Sequence, residues 1–283
     1  MKTYSNRFIR NTFMQIVFLL LPSLLGALDS RILQGQTTPR NSRPFQVALY
    51  SRVGETGELG FCGGSLIHPQ WVITAAHCCF HDGEQVDRIQ AVLGAHNLYD
   101  RYENGRRVVN VEHVEVHPEW DSDTFANDIA LMRLANLIQL TDTIDVVRLP
   151  YLRVADFNFA GRGATVSGWG IATPDAPFIS PILRSKQMTV MTDQLCNINY
   201  QHFLPDNIVC GFSNRGGTCK GDNGGPMTIV FTDSNDPNTE ETILIGVTSV
   251  VQESGCNDSL PSVFTRVQRY LAWIGEITGI VIN

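Results

Sequence analysis

Short runs of apolar and β-branched residues, broken by clusters of Gly, Asn, Asp and Pro, recur from Phe45 almost to the C-terminus. Phe45-Gln46-Val47-Ala48-Leu49-Tyr50, Trp71-Val72-Ile73-Thr74, Val108-Val109-Asn110-Val111 and Met227-Thr228-Ile229-Val230-Phe231 are examples. Runs this short, rich in Val, Ile and aromatic side chains, predict strands, and their even recurrence predicts an all-β barrel or sandwich. Near the end of the chain Val267, Tyr270, Leu271 and Ile274 fall on one face at helical spacing, predicting a helix with Thr265 as its candidate cap. The N-terminus has a different pattern. Lys2, Arg7 and Arg10 precede an apolar run from Phe13 to Leu25, interrupted by Gln15, Pro22 and Ser23 and followed by Gly26-Ala27. A basic, then apolar, then small-residue order predicts a signal peptide over residues 1–27. The alternative, a membrane anchor, is disfavoured because the run is short, contains Pro22 and lacks a second basic flank. The rest of the chain suits a single secreted domain with no linker or repeat.

Net charge is −7 over the 283 residues. Removing residues 1–31 takes away four basic residues and Asp29, which shifts the balance to −10. Acidity of this kind argues against nucleic acid or an anionic membrane as a partner. Part of it lies in Thr232–Glu241, read as a solvated surface loop. Seven cysteines in a secreted chain predict disulfides, although spacing alone leaves the pairings open. Asn257-Asp258-Ser259 is a candidate glycosylation site at Asn257.

The chemistry-bearing motifs are Thr74-Ala75-Ala76-His77-Cys78, Asn127-Asp128-Ile129-Ala130-Leu131 and Gly221-Asp222-Asn223-Gly224-Gly225-Pro226, in that order. Phe61-Cys62-Gly63-Gly64-Ser65-Leu66 and Ser167-Gly168-Trp169-Gly170 accompany them. Together they resemble the chymotrypsin/trypsin-like serine protease family, and the match covers essentially all of residues 32–275. The resemblance implies two six-stranded antiparallel β-barrels with a C-terminal helix. It implies His77 as the base, Asp128 as the group that orients it, and Asn223 at the position of the attacking serine. An amide has no ionisable hydroxyl and forms no acyl-enzyme, so a non-catalytic homologue is expected. The backbone N–H groups of Gly221 and Asn223 correspond to the oxyanion hole. Arg31-Ile32-Leu33-Gln34-Gly35 resembles a zymogen cleavage junction, where a cut after Arg31 frees the Ile32 ammonium to pair with Asp222, which implies a short propeptide over 28–31 and a double-barrel domain over 32–283.

The family's disulfide pattern implies Cys62–Cys78, Cys196–Cys210 and Cys219–Cys256, leaving Cys79 either as a buried free thiol or as an intermolecular bridge. The specificity pocket corresponds to Gly217, Ser249, Val250, Val251 and Ser262. Gly217 at its base does not support a preference for Arg or Lys, while Val251 and Ser262 in place of glycines suit a small-residue, elastase- or chymotrypsin-like pocket. Val250 stands where a tryptophan platform is usual. Calcium is not expected, because Ala95 and Arg106 occupy two carboxylate positions of the family's calcium loop. His113 and His117 match ordinary family sequence, and no cofactor or metal is expected. The function expected is a secreted, monomeric homologue that binds an extracellular protein or polypeptide and regulates proteolysis. Two alternatives stand beside it: an active serine endopeptidase, if Asn223 is an error or an allele, and a passive matrix-binding protein.

Overall fold

The structure is a computed structural model that describes residues 35–53, 58–151, 157–173, 176–201, 204–214, 216–233, 236–249 and 260–282. Six strands close the first barrel: β1 (Gln46–Val53), β2 (Glu58–His68), β3 (Trp71–Thr74), β4 (Arg88–Leu93), β5 (Arg107–Val116) and β6 (Ala130–Leu134). Their order is β1-β2-β3-β6-β5-β4, and β4 returns to pair with β1. Alternation along each strand sends Val47, Leu49, Leu66, Val72, Ile89, Ala91, Leu93, Met132 and Leu134 inward, where they form one apolar core.

The second barrel follows the same logic with β7 (Gly163–Gly168), β8 (Arg184–Val190), β9 (Ile208–Phe212), β10 (Pro226–Asp233), β11 (Asp236–Thr248) and β12 (Ser262–Arg266). The order is β8-β7-β10-β11-β12-β9, closed by β8 against β9. A two-residue strand, Gln36–Thr37, adds to the outer side of β8. Val166, Met188, Val209, Met227, Ile229, Ile245 and Phe264 fill this barrel. Closure of both sheets leaves each barrel without a free edge, which is the all-β double barrel implied by the motifs.

A third apolar cluster welds the barrels together. Phe45, Ile73, Ile129, Leu131 and Val147 meet Leu244, Val247, Val267, Leu271 and Ile274. The C-terminal helix α2 (Leu271–Thr278) follows a 3-10 turn, Val267–Tyr270, and its buried stripe is the one the spacing predicted. The cap is different. Thr265 lies in β12, and its hydroxyl donates to the Asp128 carbonyl at 2.7 Å, so it serves the barrel seam and not the helix. The other helix, α1 (Asp193–Asn199), precedes β9 and is capped by the Thr192 side chain, which accepts from Leu195 N. The segment Thr232–Glu241 is also not a simple loop. Val230, Phe231 and Thr232 pair with Thr242, Glu241 and Glu240, and Asp233 with Asp236, as the far end of the β10–β11 hairpin. Glu241 there pairs with Arg148 at 3.2 Å and accepts from the Tyr151 hydroxyl.

Cys62–Cys78 joins β2 to the turn after β3, and Cys196–Cys210 joins the short helix to β9. Cys219 is disulfide-bonded too, while Cys256 lies outside the described residues. Cys79 is a fully buried free thiol. Burial, reinforced by the nearby Asp128 charge, pushes its pKa up to about 12. Thiols react as thiolates. Iodoacetamide in mildly alkaline buffer should therefore leave native Cys79 unmodified and alkylate it after unfolding in guanidinium chloride, as peptide mass spectrometry will report. Alkylation of the native chain, or a disulfide-linked dimer on a non-reducing gel, would show instead that Cys79 reaches the surface.

Candidate active site

His77 sits in the 3-10 turn Ala76–Cys79 that ends β3, and Asp128 lies two residues before β6. Strands β3 and β6 are paired neighbours, so the barrel brings the two residues together across 51 positions of sequence. Asp128 is completely buried, and three donors saturate its carboxylate. Oδ1 accepts from His77 N at 2.9 Å. Oδ2 accepts from His77 Nδ1 at 2.8 Å and from the Ser249 hydroxyl at 2.6 Å. The Nδ1 proton is thereby committed to the carboxylate, which leaves Nε2 as the imidazole's basic atom. The ring remains partly exposed, at 21 %. Phe125 meets it edge-on at 5.9 Å and is itself braced by Trp120.

Asn127, just before Asp128, adopts a left-handed φ of +57°, a conformation asparagine tolerates better than most residues. Its side chain makes the position worth holding. Nδ2 donates to Glu119 O at 2.8 Å, and Oδ1 accepts from Asn207 Nδ2 at 2.8 Å and from the Tyr270 hydroxyl at 3.0 Å. Both barrels and the start of the C-terminal helical segment therefore fix the backbone that presents Asp128.

The turn carrying Asn223 comes from the second barrel, immediately before β10. Gly221 has φ +96°, where a Cβ would also strike Ile179. Asn223 O accepts from Gly63 N at 2.6 Å, Gly224 N donates to Thr248 O at 2.7 Å, and Gly224 abuts Thr74 on the strand leading to His77. The turn is thus pinned across the seam between the barrels. The Asn223 side chain is not. Its Oδ1 is buried with no hydrogen-bond partner. Among the described residues the N–H groups of Gly221 and Asn223 donate to no backbone acceptor.

Asp222 is buried, and its carboxylate accepts from Gly170 N at 2.8 Å and Cys219 N at 2.9 Å. Close packing against Gly168 and Gly170 leaves no room there for a β-carbon. Burial raises its pKa from 3.8 to about 6, against the two backbone donors, which pull it down. Among the described residues no cation pairs with it. Arg31 and Ile32 lie outside the described residues.

Among the residues expected to form the specificity pocket, the Ser262 hydroxyl stands directly over Gly217 and accepts from Thr218 N at 3.0 Å. That hydroxyl occupies the space a larger side chain at 217 would need. Ser249, expected at the pocket, also supports Asp128 through its side chain. Val250, Val251 and Asn257 lie outside the described residues. The one grouping of metal-ligand types among the described residues is Cys62, His77 and Cys78, and its two sulfurs are joined in a disulfide that leaves them no thiolate to offer. In the loop after β4, Arg106 Nη1 donates to the carbonyls of Asn97, Leu98 and Asp100, each at 3.4 Å. A guanidinium from the chain itself thus supplies positive charge to those oxygens. His117 is packed edge-on against Tyr270 and Trp273.

With this geometry in place, comparison with known proteins gives one consistent result. A family model described as Trypsin matches residues 32–274. The chain is 35 % identical to "Chymotrypsin" of Phaedon cochleariae, over 86 % of this chain and 80 % of that protein. It is 34 % identical to "Brachyurin" of Leptuca pugilator, over 88 % of this chain and 99 % of that one. Among solved structures, HL collagenase superposes with a TM-score of 0.74 at 31 % identity, covering 88 % of this chain and all of that one.

Proposed function

The chain belongs to the trypsin family of chymotrypsin-like serine proteases, and on that premise we propose that it is a secreted homologue without peptidase activity that acts by binding. The single observation carrying this reading is Asn223: an amide whose oxygen is buried and unpartnered stands where the family's chemistry needs a hydroxyl. His77 and Asp128 hold a competent base with nothing to deprotonate. The disulfides fit an oxidising, extracellular compartment, and among the described residues no helix is long and apolar enough to cross a membrane. Residues 1–27 act as a signal peptide and 28–31 as a propeptide. A cut after Arg31 releases the Ile32 ammonium, which pairs with the buried Asp222 carboxylate. The switch orders the binding face, and the protein regulates extracellular proteolysis by occupying a polypeptide partner without cleaving it.

A second reading, active endopeptidase with an elastase- or chymotrypsin-like preference, is favoured by the intact hydrogen bonds of His77, Asp128 and Ser249. It requires serine at residue 223 in the natural chain. The two readings separate in one experiment. After cleavage at Arg31, hydrolysis of peptide anilides with Ala, Leu, Phe or Arg before the bond should equal the protein-free blank. A pull-down from extracellular fluid should recover a partner with the cut form and less of it with the intact form. Turnover above blank would overturn the inactive reading, and empty or identical pull-downs would overturn the switched-binding reading.

A further inference from the structure

The segment leading into β1 and the loop after β4 border a recess of about 10 Å³, lined by Asn41, Arg43, Gln46, His96, Thr143 and Leu183 among others. It has room for one small occupant and none for sulfate or phosphate. Three of these side chains carry a buried polar atom without a hydrogen-bond partner: Arg43 Nε, Gln46 Nε2 and His96 Nδ1. Buried polar atoms are almost always satisfied, so three of them around one recess point to a ligand. Bonds that the same side chains already make fix their chemistry. Gln46 is 2 % exposed, and its Oε1 accepts from the Ser167 hydroxyl at 2.6 Å, which leaves the amide nitrogen as a donor. His96 Nε2 lies 2.7 Å from Thr38 O, and a carbonyl only accepts, so Nε2 holds a proton and Nδ1 carries the lone pair of the neutral ring.

Charge decides between the small ligands. Burial pulls the Arg43 pKa below the ordinary guanidinium value, and among the described residues no carboxylate pairs with it. Glu103, the acidic side chain against His96, is already committed: it accepts from Arg40, from His96 N at 2.7 Å and from Asn97 N at 2.9 Å. Arg106, on the same loop, donates to Asn97 O at 3.4 Å and adds a further cation. We propose that the recess binds a monatomic anion, chloride under ordinary conditions, which accepts from Arg43 Nε and Gln46 Nε2 and, when the ring is protonated, from His96 Nδ1. A water meets the same donors but leaves the half-buried guanidinium without a countercharge. The neutral ring offers the ion a lone pair and the imidazolium offers it a donor, so binding strengthens as pH falls through the range in which imidazoles take up a proton. Arg40 and Glu103 beside the ring form an ion pair of their own and leave the balance to Arg43 and His96. The bound ion holds Arg43 and His96 to Gln46, which Ser167 ties to the second barrel, and so stabilises the junction by mass action. No residue is shared with the His77 site, so the inference stands whether or not the protein cleaves peptide bonds.

The test has a crystallographic arm and a solution arm. Crystals of the protein grown without halide and soaked in sodium bromide should give an anomalous difference peak in the recess, within hydrogen-bond reach of Arg43 Nε and Gln46 Nε2. In solution at about pH 5.5, Tm should be about 3 °C higher in sodium chloride at ten times the dissociation constant than in sodium gluconate of equal ionic strength. The difference should shrink at about pH 8, where imidazoles are neutral. R43Q, whose fold is checked by circular dichroism, should lose the chloride effect and keep the gluconate Tm. The bromide peak needs no variant, so the proposal stays testable if R43Q fails to fold. A water and no bromide in the recess, equal Tm in the two salts, a chloride effect that persists in R43Q or grows at the higher pH, or a bromide peak with no effect on Tm (an adventitious ion only) would each overturn the proposal.

Discussion

Asn223→Ser, introduced into the chain cut after Arg31, should raise kcat on an activated ester by about 10⁶, the factor lost when the triad serine of subtilisin is removed. The expectation is large because the base and the carboxylate that orients it are already in place. His77 Nδ1 is already committed to Asp128, so Nε2, which lies 3.8 Å from the Cys78 sulfur, is the atom that takes a hydroxyl proton. The Asp128 carboxylate is held by Ser249 and by His77 N, so the imidazolium formed in the transition state meets a fixed countercharge. Serine is smaller than asparagine and removes a buried oxygen that lacks a partner, so the exchange fits the turn. The bonds that place residue 223, from Gly63 N and to Thr248 O, are made by backbone and survive it. Pre-steady-state release of the alcohol would measure acylation directly. A revertant as inert as the parent would show that the groove or the oxyanion donors are also lost.

The second large effect concerns Asp222. In the uncut chain its carboxyl titrates near 6 when folded and near 3.8 when unfolded. Below about pH 3.8 it is protonated in both states and the difference works fully in favour of folding. As pH rises to about 6 the unfolded chain ionises freely while the folded one resists a buried charge, and that stability is lost. A shift of about two units corresponds to about 3 kcal/mol. Urea unfolding of the uncut chain should show this group's contribution declining between about pH 4 and pH 6. After cleavage at Arg31 the Ile32 ammonium offers a partner, so the cut chain should hold its stability to neutral pH. The same decline in both forms would mean that Ile32 does not reach Asp222.

The strand framework was legible because barrel strands are short, apolar and β-branched with turns between them, and the sequence records such runs directly. Trp71–Thr74 is the plainest case, an apolar run that became β3 with all four residues buried. The α2 stripe was legible from its helical spacing, since Val267, Tyr270, Leu271 and Ile274 all face the seam between barrels. Helix Asp193–Asn199 was not. Cys196 is its only buried residue, and Leu195 and Ile198 face outward, so there was no amphipathic period to read. Its Thr192 cap was the one local sign. Thr265 was misread because a threonine before a helix and a threonine at a strand seam look alike until the fold delivers the Asp128 carbonyl. The acidic hairpin was misread because charge in a two-stranded extension carries no alternation against a core.

In the site, His77, Asp128 and the turn at 221–225 were legible through motifs. The supports of Asp128 were not. Ser249 lies 121 residues from it in sequence, and Asn207 and Tyr270 reach Asn127 from still other elements. Contacts of this kind exist only once both barrels have closed. A serine or an asparagine in a strand-rich stretch gives no local signal that it will hold a buried carboxylate in place.

The most direct measurement is mass spectrometry of the natural protein, cut after Arg31 and treated with a fluorophosphonate. The peptide carrying residue 223 should contain asparagine and no phosphonyl group. Serine at that position bearing the adduct would contradict the account.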